Sequence, residues 1–141
     1  MATLALDSDQ TSVGHVSTPQ VAYAQSVVID GTSTALTSGD VYQALRVPAN
    51  TCVIAAGIDV LTAGTGTGTV ALGDGSLTYV AAAAPTSATQ LAVANDVPKA
   101  YAAADTLDVT IATANVNAKI RVWAVMVDVD GINNSQIVTF A

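Results

Sequence analysis

The sequence predicts an all-β fold: a single-domain antiparallel β-sandwich, jelly-roll-like, with an extended N-terminal arm. Three observations carry this. Helix formers such as Glu, Lys and Leu are scarce: the 11 acidic residues are all Asp and only 4 residues are Lys or Arg. Val, Thr and Gly, which suit pleated strands and their turns, are abundant instead. Apolar residues recur at period two in short runs, and Asp-Gly, Pro and Asn separate the runs at short intervals.

The 141 residues suit one domain. We divide them into an arm, residues 1–19, and a sandwich, residues 20–141. In the arm, "MATLALDSDQTSVGHVSTP", Leu4 and Leu6 alternate with small or polar neighbours before a polar stretch ends at Pro19. Such a segment frays alone and can add a strand to a neighbouring sheet. The first strand is "VAYAQSVVI", residues 21–29, closed by Asp30-Gly31. "DVYQALRV" follows, with Val41, Leu45 and Val47 expected on one face and Tyr42 and Arg46 on the other; Pro48 and Asn50 end it. In "CVIAAGIDVL" the period-two set Cys52, Ile54, Ala56, Ile58 and Val60 is the expected core face. "TVALG" points Val70 and Leu72 inward and pairs with "SLTYV" across Asp74-Gly75.

Residues 81–105 are Ala-rich but interrupted by Pro85 and Pro98, so only short strand or helical pieces over one sheet are expected. In "LDVTIATA", Leu107, Val109 and Ile111 alternate with polar residues. In "AKIRVWAVMVDV", Ile120, Val122, Ala124 and Met126 share one face, while Lys119, Arg121, Trp123, Val125, Val127 and Val129 share the other. That second face turns from charged to apolar midway, as in a buried sandwich layer or a subunit contact. "GINN" makes a turn and "QIVTFA" a last strand. The eight or nine strands suit two sheets, and no internal repeat is present.

Composition narrows function. Net charge is −7 with charged residues at 11%, the opposite of a nucleic-acid footprint. Aromatics are only 4% of a chain that is 51% hydrophobic, so the core is thin in side-chain volume and its stability is expected to draw on partners. No apolar run approaches a membrane span. The opening "MATLALDSDQ" lacks a secretory leader's basic start, so folding in a cytoplasm is expected.

The motifs favour architecture over chemistry. "TAGTGTGTVALGDGS", residues 62–76, has G-x-G-x-G spacing, but a strand follows it and no Lys precedes residue 99. A phosphate loop needs a helix and a G-K-[ST] step, so this is a turn between strands. "DVDG", residues 128–131, resembles the start of a calcium loop but lacks the closing Glu; turn chemistry is expected, with weak calcium binding as the lesser option. His15 and Cys52 are single, so one chain cannot assemble a zinc set. His15 is read as an exposed arm residue and Cys52 as an inert core thiol. No nucleophile–base–oxyanion constellation is present, so no catalytic residue, cofactor or metal ligand is assigned. Trp123 is read evenly as core or interface anchor.

"VPANTCVIAAGIDVLTAGTGTGTVALGDGS" and "LDVTIATANVNAKIRVWAVMVDVDG" resemble a pattern in small virion structural proteins of tailed bacteriophages. The likeness spans roughly residues 39–131 and rests on composition and turn placement. It implies a non-enzymatic decoration or cement protein on the outer surface of a phage head, made in the host cytoplasm. It also implies a homotrimer that binds the major capsid protein and neither nucleic acid nor membrane. On that reading Leu4 and Leu6 are the strand-adding or capsid-touching residues, and Trp123, Val125 and Val127 pack the trimer. The alternatives are a tail, neck or fibre component, and a carbohydrate-binding sandwich module.

Overall fold

The computed structural model describes residues 22–93 and 98–128, the side chains of residues 90–93 excepted. Among them are nine strands and no helix, as the composition predicts. The strands are β1 (Ala22–Asp30), β2 (Val41–Val47), β3 (Thr51–Thr62), β4 (Thr69–Gly73) and β5 (Thr78–Ala83), then β6 (Gln90–Val93), β7 (Lys99–Tyr101), β8 (Asp105–Ala112) and β9 (Lys119–Asp128).

Every pairing is antiparallel. One sheet has the order β1-β9-β3-β6, with short β7 also pairing β3; the other has the order β2-β8-β4-β5. Read from the same side, each strand of the first sheet matches a sequence neighbour in the second: 1 with 2, 9 with 8, 3 with 4, 6 with 5. This is the wrapped arrangement of a jelly roll. It follows from connections that mostly cross from sheet to sheet instead of returning within one.

The core lies between the sheets. Val70 and Leu72 of β4, Leu107, Val109 and Ile111 of β8, and the β9 set Ile120, Val122, Ala124 and Met126 are all fully buried. The alternation of these three strands is therefore the inside–outside pattern of the fold. The Ala-rich segment supplies β6 and β7, two strand pieces on β3, with no helical piece among the described residues.

Two strands depart from simple alternation. In β2 the register shifts between Gln43 and Leu45, so Leu45 and Val47 are buried but Val41 is 57% exposed and Tyr42 packs against the core. In β3 a shift between Val53 and Ala55 moves the inward set to Val53, Ala56, Ile58 and Val60. Ile54 is left 40% exposed, and Cys52, paired with Val127, is half-buried outside the core cluster. One extra residue in a strand reverses the parity of everything beyond it, and that corrects the expected faces of Val41, Tyr42, Cys52 and Ile54.

The Gly-rich run is the crossing from β3 to β4. Its backbone is held by Gly64 N–H on the Pro85 carbonyl (2.9 Å) and Thr65 N–H on Asn117 Oδ1 (2.7 Å). Gly68 packs so closely on the β8–β9 loop that a Cβ there would meet the Ala114 and Asn115 carbonyl oxygens at 2.6 Å. Close backbone approach, and not ligand cradling, explains the glycine. The β1–β2 loop joins the same end through paired bonds between Leu36 and Val116 (2.8 and 2.9 Å) and Ser38 N–H on Asn115 Oδ1 (2.9 Å). The arm with Leu4, Leu6 and His15, the "GINN" turn and the "QIVTFA" strand lie outside the described residues.

Candidate functional site

The outer face of the β1-β9-β3 layer gathers the side chains of interest. Because alternate β9 residues fill the core, Lys119, Arg121, Trp123, Val125 and Val127 project outward together. Register places Ala22, Ala24 and Ser26 of β1 beside Val127, Val125 and Trp123, with Cys52, Ala55 and Gly57 of β3 on the other flank. The face divides along its length. Its apolar half holds Val125, Val127 and small neighbours, and the bulged Ile54 is exposed close by.

Its polar half is built from cross-strand pairs. Arg121 donates from Nε (3.1 Å) and Nη2 (2.5 Å) to Asp59 Oδ2, and the Trp123 indole N–H reaches Asp59 Oδ1 at 3.3 Å. These groups, with Ala24, Gln25 and Ser26, line a shallow depression of 410 Å3. Lys119 pairs with Asp30 at 2.9 Å. The Thr32 hydroxyl and backbone N–H, helped by Lys119, hold the Asp30 carboxyl down to about 2.

The structure thus brings Trp123, Val125 and Val127 onto one half-buried outer face. Asp59 was invisible as their neighbour, because a 62-residue separation from Arg121 becomes contact only through β3–β9 register. Among the described residues no three His, Cys, Asp or Glu side chains converge as a metal site. Arg46 is the one cation without an acidic partner among the described residues; the other three are in ion pairs.

A second constellation lies inside the sandwich, at the end where β7 pairs with the start of β3, and sequence reasoning missed it. Asp74, anticipated only as a turn residue, has a fully buried side chain. Its Oδ1 accepts from the backbone N–H of Ser76 (3.0 Å) and Leu77 (2.7 Å) and from the Ser76 hydroxyl (3.0 Å). Its Oδ2 accepts from Lys99 Nζ and from the Tyr101 hydroxyl (2.7 Å). With its hydrogen spent on Asp74, Tyr101 must accept from the buried Tyr79 hydroxyl, 2.5 Å away. The Lys99 ammonium also stands 4.7 Å from the Tyr101 ring centroid.

Burial works against the Asp74 charge, but Lys99, Tyr101 and the two backbone donors outweigh it and hold the carboxyl well below its usual range. Burial pushes both tyrosines up, reinforced at Tyr101 by its hydroxyl contacts, and the Asp74 bond pushes Lys99 up. Among the described residues no buried side-chain polar atom lacks a partner. With all its polar groups bonded, the cluster has no free base or nucleophile. It ties the β4–β5 hairpin of one sheet to β7 of the other.

No family model matches the chain, and no curated protein matches it either. Solved structures do. A chain in the acidic stable capsid structure of Helicobacter pylori bacteriophage KHP30 aligns over 76% of this chain and 86% of its own length, with 13% identity and a TM-score of 0.54. One in the capsid asymmetric unit of cyanophage Pam1 aligns over 77% and 84%, with 18% identity and a TM-score of 0.55. One in the capsid of Ralstonia phage GP4 aligns over 77% and 84%, with 16% identity and a TM-score of 0.50. This jelly-roll sandwich therefore shares its fold with chains from three bacteriophage capsids, the class of architecture its sequence resembles.

Proposed function

We propose that this chain is a non-enzymatic virion structural protein of a bacteriophage, a decoration or cement protein bound as a homotrimer to the outer surface of the head. The observation that carries this reading is the shared fold of chains from three phage capsids, each aligned over about three-quarters of this chain. The apolar outer half-face around Val125 and Val127, flanked by Trp123, supports self-association. The acidic, sparsely charged composition suits a particle surface that resists non-specific adhesion. Cementing is then linkage: a protein that binds only the assembled lattice stabilises it by its free energy of binding, multiplied over many copies. The major capsid protein is the partner. The arm around Leu4 and Leu6 supplies contacts beyond the sandwich.

The test is a particle reconstruction with copy counting. Hundreds of copies at symmetric positions on the outer head support the proposal. Tens or fewer, at the tail, neck or fibres, would replace it with the rival virion role. A second reading has one observation behind it: Trp123 beside Asp59, Arg121 and Ser26 makes the kind of aromatic and polar depression that holds a sugar ring. A glycan array with wild type and Trp123→Ala decides it, because a glycan site requires binding that the variant loses.

A further inference from the structure

We infer that the open edge of β1 is an acceptor for the Leu4 and Leu6 stretch of a neighbouring copy, which adds there as an extra strand. This rests on the oligomeric reading above and names the contact that would build it.

The first support is the edge itself. β1 pairs with β9 over nine residues without a shift, and among the described residues no strand lies on its other side. Sheet edges are usually blunted by Lys, Pro or a bulge. β1 contains none of these, and its one charge, Asp30, is terminal. The edge strand facing it, β2, does carry a bulge. Among the described residues, this unblunted edge therefore presents a row of N–H and C=O groups that no strand pairs, suited to strand addition.

The second support is an unfinished core. Tyr23, Val27 and Ile29 of β1 and Tyr42 and Ala44 of β2 pack against the core yet remain half-exposed along the seam between the two edges. At the other side of the sandwich β5 is also an edge strand, but its Tyr79 and Val80 are fully buried. Among the described residues, the β1–β2 seam therefore lacks a layer of apolar side chains that its counterpart possesses.

The third support is the spacing of the donor. Leu4 and Leu6 would fall on one side of an extended segment and could cover the seam while the main chain pairs with β1. Between them and Ala22 lie residues 7–21, fifteen in number. Extended, they reach about 50 Å, far beyond a tight hairpin. A local turn at Pro19 would instead lay "SDQTSVGHVST" on β1, a polar string without paired large apolar residues. The leucines thus suit a neighbour's edge, and a head-to-tail contact of this kind builds a ring when its rotation closes.

Hydrogen exchange on the full-length protein at micromolar concentration, with light scattering alongside, tests this. Wild type is compared with Leu4→Asp/Leu6→Asp, whose changes lie outside the nine strands, and with that variant plus a synthetic peptide of residues 1–10. The expected result is an oligomeric wild type whose β1 amides exchange at least about tenfold more slowly than those of the variant, with protection restored by the peptide. Equal β1 exchange in both proteins with the oligomer intact overturns this inference and leaves the oligomeric reading standing. A monomeric wild type whose β1 protection still depends on the leucines places the stretch on its own chain's edge. That overturns the inference, and the oligomeric reading fails with it.

Discussion

The two outer faces of this sandwich are built by the same pleat and have opposite characters. On the β2-β8-β4 sheet, Gln43, Arg46, Thr106, Asp108 and Thr110 share the outer surface with Ala71, Gly73 and one exposed valine, Val41. There Asp108 accepts from the Thr106 hydroxyl at 2.7 Å, so much of its polar capacity is used within the face. On the β1-β9-β3 layer, Val125 and Val127 occupy the equivalent outward positions beside Ala22, Ala24 and Cys52. A solvated sheet face normally reads polar, as the first does. An apolar half-face on the second, with exposed Ile54 close by, is a place where association would remove apolar surface from water.

The sharpest way to break this comparison is to place one charge on each face. If the proposed oligomer forms through this face, Val125→Asp reduces it to monomer by light scattering, while Thr110→Asp leaves the mass unchanged. Both should keep the wild-type far-UV spectrum, since neither site is in the core. Equal behaviour of the two variants would remove the functional distinction between the faces.

The next effect concerns what ties the two sheets together. Asp74→Ala leaves the Leu77 and Ser76 N–H groups, the Tyr101 hydroxyl and Lys99 without their acceptor. We expect a loss of about 2–4 kcal/mol in urea unfolding. The same cluster sets a pH window. Asp74 and Asp30 have lowered carboxyls, so the unfolded chain binds protons first as pH falls, and stability is lost from about pH 4 downward. Tyr79, Tyr101 and Lys99 have raised values, so the unfolded chain releases protons first as pH rises, and stability is lost above about pH 10. Melting temperature measured across pH should form a plateau between these limits, and Asp74→Ala should flatten the acid side.

Smaller is the effect of Gly68→Ala, whose methyl would press on two backbone carbonyls in the crossing between sheets. About 1–3 kcal/mol of destabilisation is expected by thermal melting. Smallest is Arg121→Ala, which removes an ion pair whose arginine side chain is 47% exposed. A change within about 1 kcal/mol is expected, with no change in oligomer mass.

How much could be read in advance differs strand by strand. β8 and β9 were legible because their alternation runs unbroken from end to end. β2 and β3 were only half legible, since a bulge leaves no mark in composition and yet reverses every face beyond it. The outer face was visible in β9 alone, through Trp123, Val125 and Val127. Its Asp59 neighbour and the Asp74–Lys99–Tyr101–Tyr79 cluster were not, because each joins residues 22 to 64 positions apart that no local pattern relates.

The amino-acid sequence by itself determined that this chain forms strands, where most of them turn, and that its glycine run serves a turn. Those properties follow from period-two patterning and from the backbone demands of Gly, Pro and Asp, which act over a few residues. The tertiary structure alone decided which strands face one another, where register slips, which described strands lie at the sheet edges and which carboxylate is buried. These depend on pairing between distant segments, where a shift of one residue exchanges core for surface.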